Sequence, residues 1–439
     1  MMLPSEISQR VLSYGSVAGL RVRVRSSATG NSRLADSMPT TTGDIERIEV
    51  SVTATGDGGG QATLSSNQVD DAELRALVRR TEALANMAPR DAEATPMLGP
   101  TDYVQVDAVD PAVAAMGPRA RGELAHTIIT NGQAEGLVVS GYVEHRDAII
   151  AVADRAGLAA AHRDTRVRVA ATCRTPDGTG SSKAGAISHQ IGDIDGAKLA
   201  RDTAKWALRS RAPRAIAPGK MCVVLGQQAV ADLLSLLLPA LDHRHATQGR
   251  TFFSAPDGST KLGEKLFGPR IHLWSDPADT ADPACPIADD GRPDRRVDWV
   301  VGGVLRSLTA SAFWSMRAGV ASRPEPSSLR MDGDEATLDE LVAGVDRGLL
   351  VTRFWYNDIV SQRQLLATGV TRDGTFLIER GKIVAPVLNM RYNDSPLTLL
   401  ERTTVLGKPV RAGLSEKLVV VVPPLVVDGF KFTSVSPAI

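Results

Sequence analysis

The chain has 439 residues, of which 43% are hydrophobic, and its 50 Lys and Arg side chains are balanced by 50 Asp and Glu side chains. This length exceeds one ordinary hydrophobic core and favours two domains, while the zero formal charge argues against a nucleic-acid or membrane-surface role, since both usually need a basic face. Three cysteines without a close-spaced pair indicate a reducing compartment.

The first 211 residues alternate between helical and strand patterns. The N-terminus MMLPSEISQR lacks the basic and apolar regions of a signal peptide, so we expect a cytoplasmic protein. Capping residues and helical apolar spacing predict helices over Ser5–Tyr14, Asp71–Met87, Arg119–Thr130 and Ala197–Ser210. Alternating apolar residues predict strands over Leu20–Val24, Ile48–Val52, Gly136–Val143, Ala148–Ala153, Leu158–Arg163 and Val167–Cys173.

A proline-rich segment, Arg211–Gly219, marks the predicted boundary between a domain of residues 1–211 and a domain of residues 219–439. The second half is mostly strand-patterned, with predicted strands over Cys222–Leu225, Trp299–Val301, Leu349–Phe354, Gly374–Glu379, Ile383–Met390 and Val419–Val427. Turn signals at Asp290-Gly291, Asp373-Gly374 and Asp428-Gly429 favour antiparallel connections. The sequence therefore predicts an α+β protein: an α/β N-terminal domain followed by a large, mostly antiparallel curved sheet or barrel-like body.

The segment from Met221 to Phe253 reads MCVVLGQQAVADLLSLLLPALDHRHATQGRTFF and contains the most apolar helical run of the chain. That run, Val230–Leu238, is much shorter than the roughly 20 residues that a membrane span requires. Its leucines form a core-facing stripe, and Pro239 is expected to end or kink the helix.

Five blocks of the second half, in the same order, resemble the TldD/PmbA peptidase family. These blocks are 289–296, 300–305, 348–354, 371–379 and 422–430. The resemblance covers nearly the whole chain and implies a two-domain fold and pairing of a zinc-bearing TldD-like subunit with a TldE-like subunit. In the zinc-bearing subunit, a helical His-Glu-x-x-x-His motif and a cysteine hold the metal, and the glutamate is the general base.

The zinc motif of the family falls on residues that cannot perform this chemistry. Leu234, Ser235 and Pro239 occupy the His-Glu-x-x-x-His positions, and the cysteine position falls near Pro409. A zinc hydrolase needs three protein ligands, an open water position and a base. The chain therefore resembles the non-catalytic TldE/PmbA-type subunit; we expect no catalytic residue, metal ligand or other cofactor in it, and zinc in a TldD-like partner.

One nearby pair of histidines supports an alternative. His243 and His245 form a His-x-His pair, which can bind a metal if both side chains lie on one face of a strand. Cys285 or Asp290 could then complete the site. This alternative predicts a self-sufficient metal hydrolase, whereas the competing interpretation is a polar loop after a buried helix.

Two further features are candidates for function. Ser181 or Ser182 could act as a nucleophile and His189 as its base, as in a serine hydrolase. No nucleophile-elbow motif surrounds them, so a loop without catalytic function is favoured. Aromatic and polar side chains cluster at two predicted strand ends and are candidates for contacts with a partner or with substrate: Trp355, Tyr356, Asn357, Arg391, Tyr392 and Asn393.

The main functional hypothesis is a non-catalytic partner subunit of a heterodimeric zinc peptidase or amidase. Its substrates would be peptides or small-molecule amides, including peptide natural products. The alternatives are the self-sufficient metal hydrolase and a stand-alone binding or scaffold protein.

Overall fold

The computed structural model describes residues 2–414 and 419–436. The first domain contains helices and strands with the following bounds: α1 Pro4–Tyr14, β1 Gly19–Ala35, β2 Met38–Thr55, β3 Gln61–Ser66, α2 Asp71–Met87, α3 Pro111–Ala114, α4 Pro118–Ala134, β4 Val138–Asp154, β5 Ala159–Arg174, β6 Ser181–Ser188 and α5 Gly196–Arg209. A short 3-10 helix, Ile191–Asp193, precedes α5.

The strands of the first domain form one antiparallel six-stranded sheet in the order β3-β2-β1-β4-β5-β6. Residues of β1 alternate between the two faces, as the period of a strand requires. Leu20, Val22 and Val24 are buried with α1 and α2, whereas α4 and α5 pack on the valines of β4 and β5. The helices therefore cover one face of the sheet and leave the face that carries Arg21, Arg23 and Arg25 to the second domain.

All four predicted helices of this domain are observed, and the differences in their ends have local causes. Asp70 caps α2 by accepting a hydrogen bond from the Glu73 N–H at 3.0 Å. The predicted end of α4 at Asn131-Gly132 is wrong, because the helix continues to Ala134. Gly132 instead permits close packing, since a Cβ there would lie 2.3 Å from Val139.

The second domain contains the remaining elements. Its helices are α6 Gln227–Leu237, α7 His243–Thr247, α8 Ala312–Ala318, α9 Leu338–Ala343 and α10 Pro396–Glu401, with a 3-10 helix at Leu238–Ala240. Its strands are β7 Lys220–Leu225, β8 Leu273–Ser275, β9 Val297–Val301, β10 Val304–Leu305, β11 Ser328–Met331, β12 Arg347–Val351, β13 Phe354–Ser361, β14 Leu366–Thr371, β15 Thr375–Glu379, β16 Lys382–Pro386, β17 Met390–Asp394, β18 Thr403–Leu406, β19 Val410–Arg411, β20 Val419–Val422 and β21 Leu425–Val435.

These strands form a six-stranded sheet, β10-β9-β8-β11-β20-β19, and a nine-stranded sheet, β13-β14-β17-β21-β7-β12-β15-β16, in which β18 also pairs with β21. Most pairs are antiparallel, but β7 pairs with β12 and β11 pairs with β20 in parallel. The α+β class with two domains is confirmed. Of the two alternatives predicted for the second domain, open sheets are observed, since neither sheet closes on itself within the described residues.

Two sequence signals in the second domain have a different structural meaning. The predicted strand over Val419–Val427 is interrupted by Pro423 and Pro424, so β20 and β21 belong to different sheets. The Asp428-Gly429 pair lies inside β21 at a bulge and connects no strands. The Asp290-Gly291 turn is observed, with the Gly291 N–H donating to the Ala288 carbonyl at 2.9 Å.

The boundary segment runs between α5, which ends at Arg209, and β7, which begins at Lys220. Within this segment Arg214 exchanges backbone hydrogen bonds with Pro386 and Leu388 of the second domain. In the described parts of the chain, no helix combines the length and hydrophobicity that crossing a membrane would require.

Candidate functional site

Helix α6 occupies the centre of the second domain. Gly226 precedes it at the end of β7, and the helix packs its leucines into the largest hydrophobic core of the chain. Leu234 is completely buried, Ser235 is exposed and donates to the Asp232 carbonyl at 2.7 Å, and Pro239 lies in the 3-10 helix that follows. The residues at the three motif positions are thus a core side chain, a helix-surface hydroxyl and a proline.

Asp232 is the polar side chain of α6 that sequence reasoning missed. Its two carboxylate oxygens accept hydrogen bonds from the Gln228 side chain and from the Phe354 N–H, each at 2.8 Å. Burial nevertheless raises the pKa of Asp232 to about 6, because those hydrogen bonds offset only part of the cost of removing the charge from water. A lone acid within an apolar helical stripe was the available signal.

Gln228 extends this contact to the segment in which the family cysteine would lie. Its side-chain carbonyl accepts a hydrogen bond from the Leu414 N–H at 3.0 Å, while its amide donates to Asp232. Pro409, at the cysteine position, precedes β19 and lies against Gly333. Gln228 therefore links the Asp232 carboxylate, on the same helix, to the backbone of Leu414.

His243 and His245 do not adopt the strand geometry that the metal alternative requires. Asp242 caps α7 by accepting from the His245 N–H at 2.6 Å, so both histidines belong to a short helix. Residues two apart on a helix are separated by about 200°, which directs the two rings to different sides. The Nδ1 atom of His243 accepts a hydrogen bond from the Trp314 indole at 3.0 Å, and burial lowers the pKa of the His243 imidazole.

The residues proposed to complete a metal site have other contacts. The Cys285 thiol donates to the Ile287 carbonyl at 3.4 Å, and Asp290 binds the Arg292 guanidinium at 2.7 Å. Across residues 2–414 and 419–436, no group of three or more His, Cys, Asp or Glu side chains is arranged to hold a metal ion.

The serine and histidine candidates of the first domain make contacts in different places. The Ser181 hydroxyl donates to the Asp373 carboxylate at 2.8 Å across the domain boundary. Ser182 and His189 are buried, at opposite ends of β6. The structure therefore does not bring these residues together as a nucleophile and base.

The first aromatic cluster lies on β13, an edge strand of the nine-stranded sheet. Trp355 is 37% exposed and Tyr356 is 76% exposed. Tyr356 has a φ of +52° at a bulge where the register with β14 shifts. The buried Arg353 guanidinium lies 4.8 Å from the Trp355 ring and also binds Asp373, which fixes the indole from below.

The second cluster is mostly internal. Tyr392 is completely buried and is therefore not available for the predicted contact with a partner or substrate; its hydroxyl donates to the Asn357 side chain at 2.8 Å. Arg391 is exposed and contacts Thr368, whereas the Oδ1 atom of Asn393 is buried and has no hydrogen-bond partner among the described residues. Tyr392 and Asn357 thus support the exposed Trp355–Tyr356 pair from beneath.

A cavity of about 760 Å³ lies between the arginine-bearing face of the first sheet and the second domain. Arg21 and Arg23 donate to the carbonyls of Asp290 and Asp289, and Arg25 binds the Asp289 carboxylate. In the walls of the cavity, Arg25 binds Asp289, Arg146 binds Asp164 and Arg292 binds Asp290. This cavity is consistent with a cleft between two firmly joined domains.

Comparison with known proteins relates the second domain to a family and the whole chain to solved folds. Residues 218–434 match the sequence profile described as the PmbA/TldA metallopeptidase C-terminal domain. No protein of curated function matches the chain.

Three solved structures share the fold. TldE from Thermococcus kodakarensis has 13% identity and a TM-score of 0.86, over 98% of this chain and 99% of that chain. A proposed DNA gyrase modulator from Bacteroides thetaiotaomicron has 21% identity and a TM-score of 0.84, over 97% and 98%. A proposed DNA gyrase modulator from Thermotoga maritima has 17% identity and a TM-score of 0.81, over 98% and 99%.

Proposed function

This chain belongs to the TldD/PmbA metallopeptidase family, and we propose that it is the non-catalytic, TldE-type subunit of a heterodimeric zinc peptidase or amidase. The observation that carries this proposal is the identity of the residues at the zinc-motif positions on and just after helix α6. Its three motif positions hold Leu234, Ser235 and Pro239, and Leu234 contributes to the core. These residues do not fit a zinc ion, because none of them supplies a nitrogen, thiolate or carboxylate ligand.

The zinc would then be held by a TldD-type partner, which would also supply the general base. In that complex the present chain would bind the zinc-bearing partner without taking part in the chemistry. The exposed Trp355–Tyr356 pair supports such a contact, since aromatic side chains fixed at a surface are typical interface anchors. The substrates would be peptides or small-molecule amides, including peptide natural products, and the complex would act in the cytoplasm.

The proposal is tested by expressing the chain alone and together with a TldD-type chain, encoded in the same genome, that carries His-Glu-x-x-x-His. After gel filtration, zinc content and peptide hydrolysis are measured for each chain and for the mixture. We expect no zinc and no hydrolysis for this chain alone, a one-to-one complex with the partner, and hydrolysis only when the partner is present.

Two results would contradict the proposal in different ways. Stoichiometric zinc in the isolated chain, lost in a His243→Ala/His245→Ala variant, would identify a self-sufficient metal hydrolase. Failure to associate with the TldD-type chain, without bound zinc, would favour a stand-alone binding or scaffold protein.

A further inference from the structure

The first sheet has a free edge along the N-terminal half of β5. Strand β5 runs from Ala159 to Arg174, but β6 pairs only with Val167–Arg174. The Thr165 N–H points away from β4, because it donates to the Ala108 carbonyl at 2.9 Å. Since backbone groups alternate in direction along a strand, the N–H and C=O groups of Ala159, Ala161 and Arg163 point the same way.

A cavity of about 560 Å³ lies against this edge. We call it the β5 slot; it is lined by Thr101–Val106, Val109, Ala159–Arg163, Pro286 and Ile287. Its volume is within the range of ordinary ligand sites. The free part of β5 spans about 14 Å, at roughly 3.4 Å per residue, which accommodates about five residues of an extended chain.

The opposite wall of the slot is an extended connector fixed at both ends. Near one end, the Leu98 and Gly99 N–H groups donate to Asp154 at 2.8 and 3.2 Å. At the other end, Ala108 and Asp110 bind Thr165. Among the described residues, no backbone hydrogen bond joins residues 100–107 to β5. The connector therefore frames the free edge without pairing with it.

A buried polar side chain borders the same space. His162 is 8% exposed, lines the slot, and its Nε2 atom has no hydrogen-bond partner among the described residues. Buried polar groups are usually hydrogen-bonded, so an unpaired one suggests a missing partner. A neutral imidazole nitrogen can donate to a carbonyl or accept from an amide, and both groups are present in a peptide backbone.

We propose that the β5 slot binds an extended peptide, which adds as a strand to the free edge of β5 and contacts His162. Main-chain hydrogen bonds would provide the affinity in this mode, and recognition would be largely independent of side chains. The inference rests on the proposed function, which supplies the peptide. The subunit without zinc would hold one part of the peptide substrate while its partner cleaves another part.

The experiment uses the full chain and a blocked hexapeptide of alternating alanine and threonine. Amide hydrogen exchange is measured with and without the peptide. We expect slower exchange at residues 159–163 and unchanged exchange in β3, Gln61–Ser66, which is the other edge of the same sheet. A hexapeptide with the same side chains but alternate N-methylated amides should bind at least about tenfold more weakly, because it cannot complete the ladder.

Two variants test the site from the protein side. Ala161→Pro removes one outward N–H of the edge, and His162→Ala removes the buried imidazole; both should weaken hexapeptide binding severalfold or more. His126→Ala is the matched control, because that histidine is exposed on α4. Equal binding of the N-methylated peptide, or equal protection of β3 and β5, would overturn the inference.

Failure of this inference differs from failure of the proposed function. Peptide hydrolysis by the complex with no protection at residues 159–163 would refute the slot alone. Protection of that edge in a chain that joins no TldD-type partner would refute the proposed function and leave the slot intact.

Discussion

At the scale of single residues, Gly291 lets the second domain lie against the first sheet. Its φ is +86°, and a Cβ at this position would lie 3.0 Å from Leu158, 3.2 Å from Val152 and 3.3 Å from Leu98. Its carbonyl also accepts a hydrogen bond from the Tyr103 hydroxyl. The sequence predicts the turn but not this contact, because the three apolar partners come from distant parts of the chain.

Replacing Gly291 with alanine should therefore destabilise the protein by about 2–3 kcal/mol, from left-handed backbone strain plus overpacking. Gly258→Ala is the matched control, since Gly258 has a φ of +83° and no described residue lies within 4 Å of a Cβ built there. It should cost about 1 kcal/mol. The free energy of unfolding is measured in urea; equal losses for the two variants would show that the Gly291 contacts are unimportant.

Asp232 makes a second residue-scale prediction, about pH. Its folded pKa of about 6 exceeds the unfolded value of about 3.9, so between pH 4 and 6 the folded state binds more protons than the unfolded state. Stability contributed by this group is therefore highest at low pH and falls as the pH rises to 6, by up to about 2–3 kcal/mol.

The check is the difference in unfolding free energy between wild type and Asp232→Asn, which cancels the other titrating groups. We expect Asp232→Asn to gain stability relative to wild type between pH 4 and 6.5. Parallel pH profiles for the two proteins would mean that Asp232 titrates near its ordinary value.

At the scale of elements, helices were easier to predict than long strands. The helices α1, α2 and α5 follow from apolar spacing, and Asp70 and Asp195 cap the last two. Strand β4 is one element although the sequence predicts two, because its polar middle is stabilised by cross-strand pairs: Arg146–Asp164, Arg163–Asp147 and Arg168–Glu144. Such pairs depend on register, which one sequence does not specify.

For the candidate site too, residue types could be predicted from the sequence but side-chain geometry could not. The absence of zinc ligands on α6 can be predicted from residue types alone, since no fold turns leucine or proline into a ligand. The geometry of His243 and His245 could not be predicted, because it depends on Asp242 capping a short helix. The free edge of β5 was also hidden, since it results from the short length of β6.

The bulge of β13 combines backbone strain with exposed aromatic surface. Tyr356 holds a left-handed conformation, which costs a non-glycine residue about 1 kcal/mol. Gly369 opposite leaves room for Asn357 and the Trp355 backbone, which lie 2.4 and 3.1 Å from a built Cβ. Strain of this kind persists where the surroundings enforce it and is concentrated at functional sites.

Tyr356→Gly should therefore leave the isolated chain as stable as wild type, or up to about 1 kcal/mol more stable. The same change should weaken binding to a TldD-type partner by about 2 kcal/mol, or roughly 30-fold, if Tyr356 anchors the interface. Val360→Ala serves as the control, because Val360 is 59% exposed on the same strand. Unchanged affinity for Tyr356→Gly, measured by calorimetry, would remove this strand from the interface.

At the scale of the whole molecule, buried charges join the two domains. Asp282 is 2% exposed and binds Arg166 of β5 at 3.2 Å, with Arg411 at 3.8 Å. Arg411 in turn donates to the Ile187 carbonyl of the first domain at 2.9 Å. Burial raises the pKa of Asp282 although both arginines oppose this effect. A carboxylate in this position has a high desolvation cost that its partners must offset.

Asp282→Ala should consequently destabilise the protein by about 3–5 kcal/mol, because it removes the carboxylate partner of the largely buried Arg166 between the domains, whereas Arg411 keeps Asp193 at 3.5 Å. Asp202→Ala removes the exposed partner of Lys198 on α5 and should have an effect near zero, since surface pairs contribute little. Scanning calorimetry should resolve the unfolding of Asp282→Ala into two transitions, one for each domain, whereas wild type and Asp202→Ala should unfold in one. A single transition at an unchanged temperature in Asp282→Ala would mean that the domains are coupled by their apolar contacts and by the 289–291 turn instead.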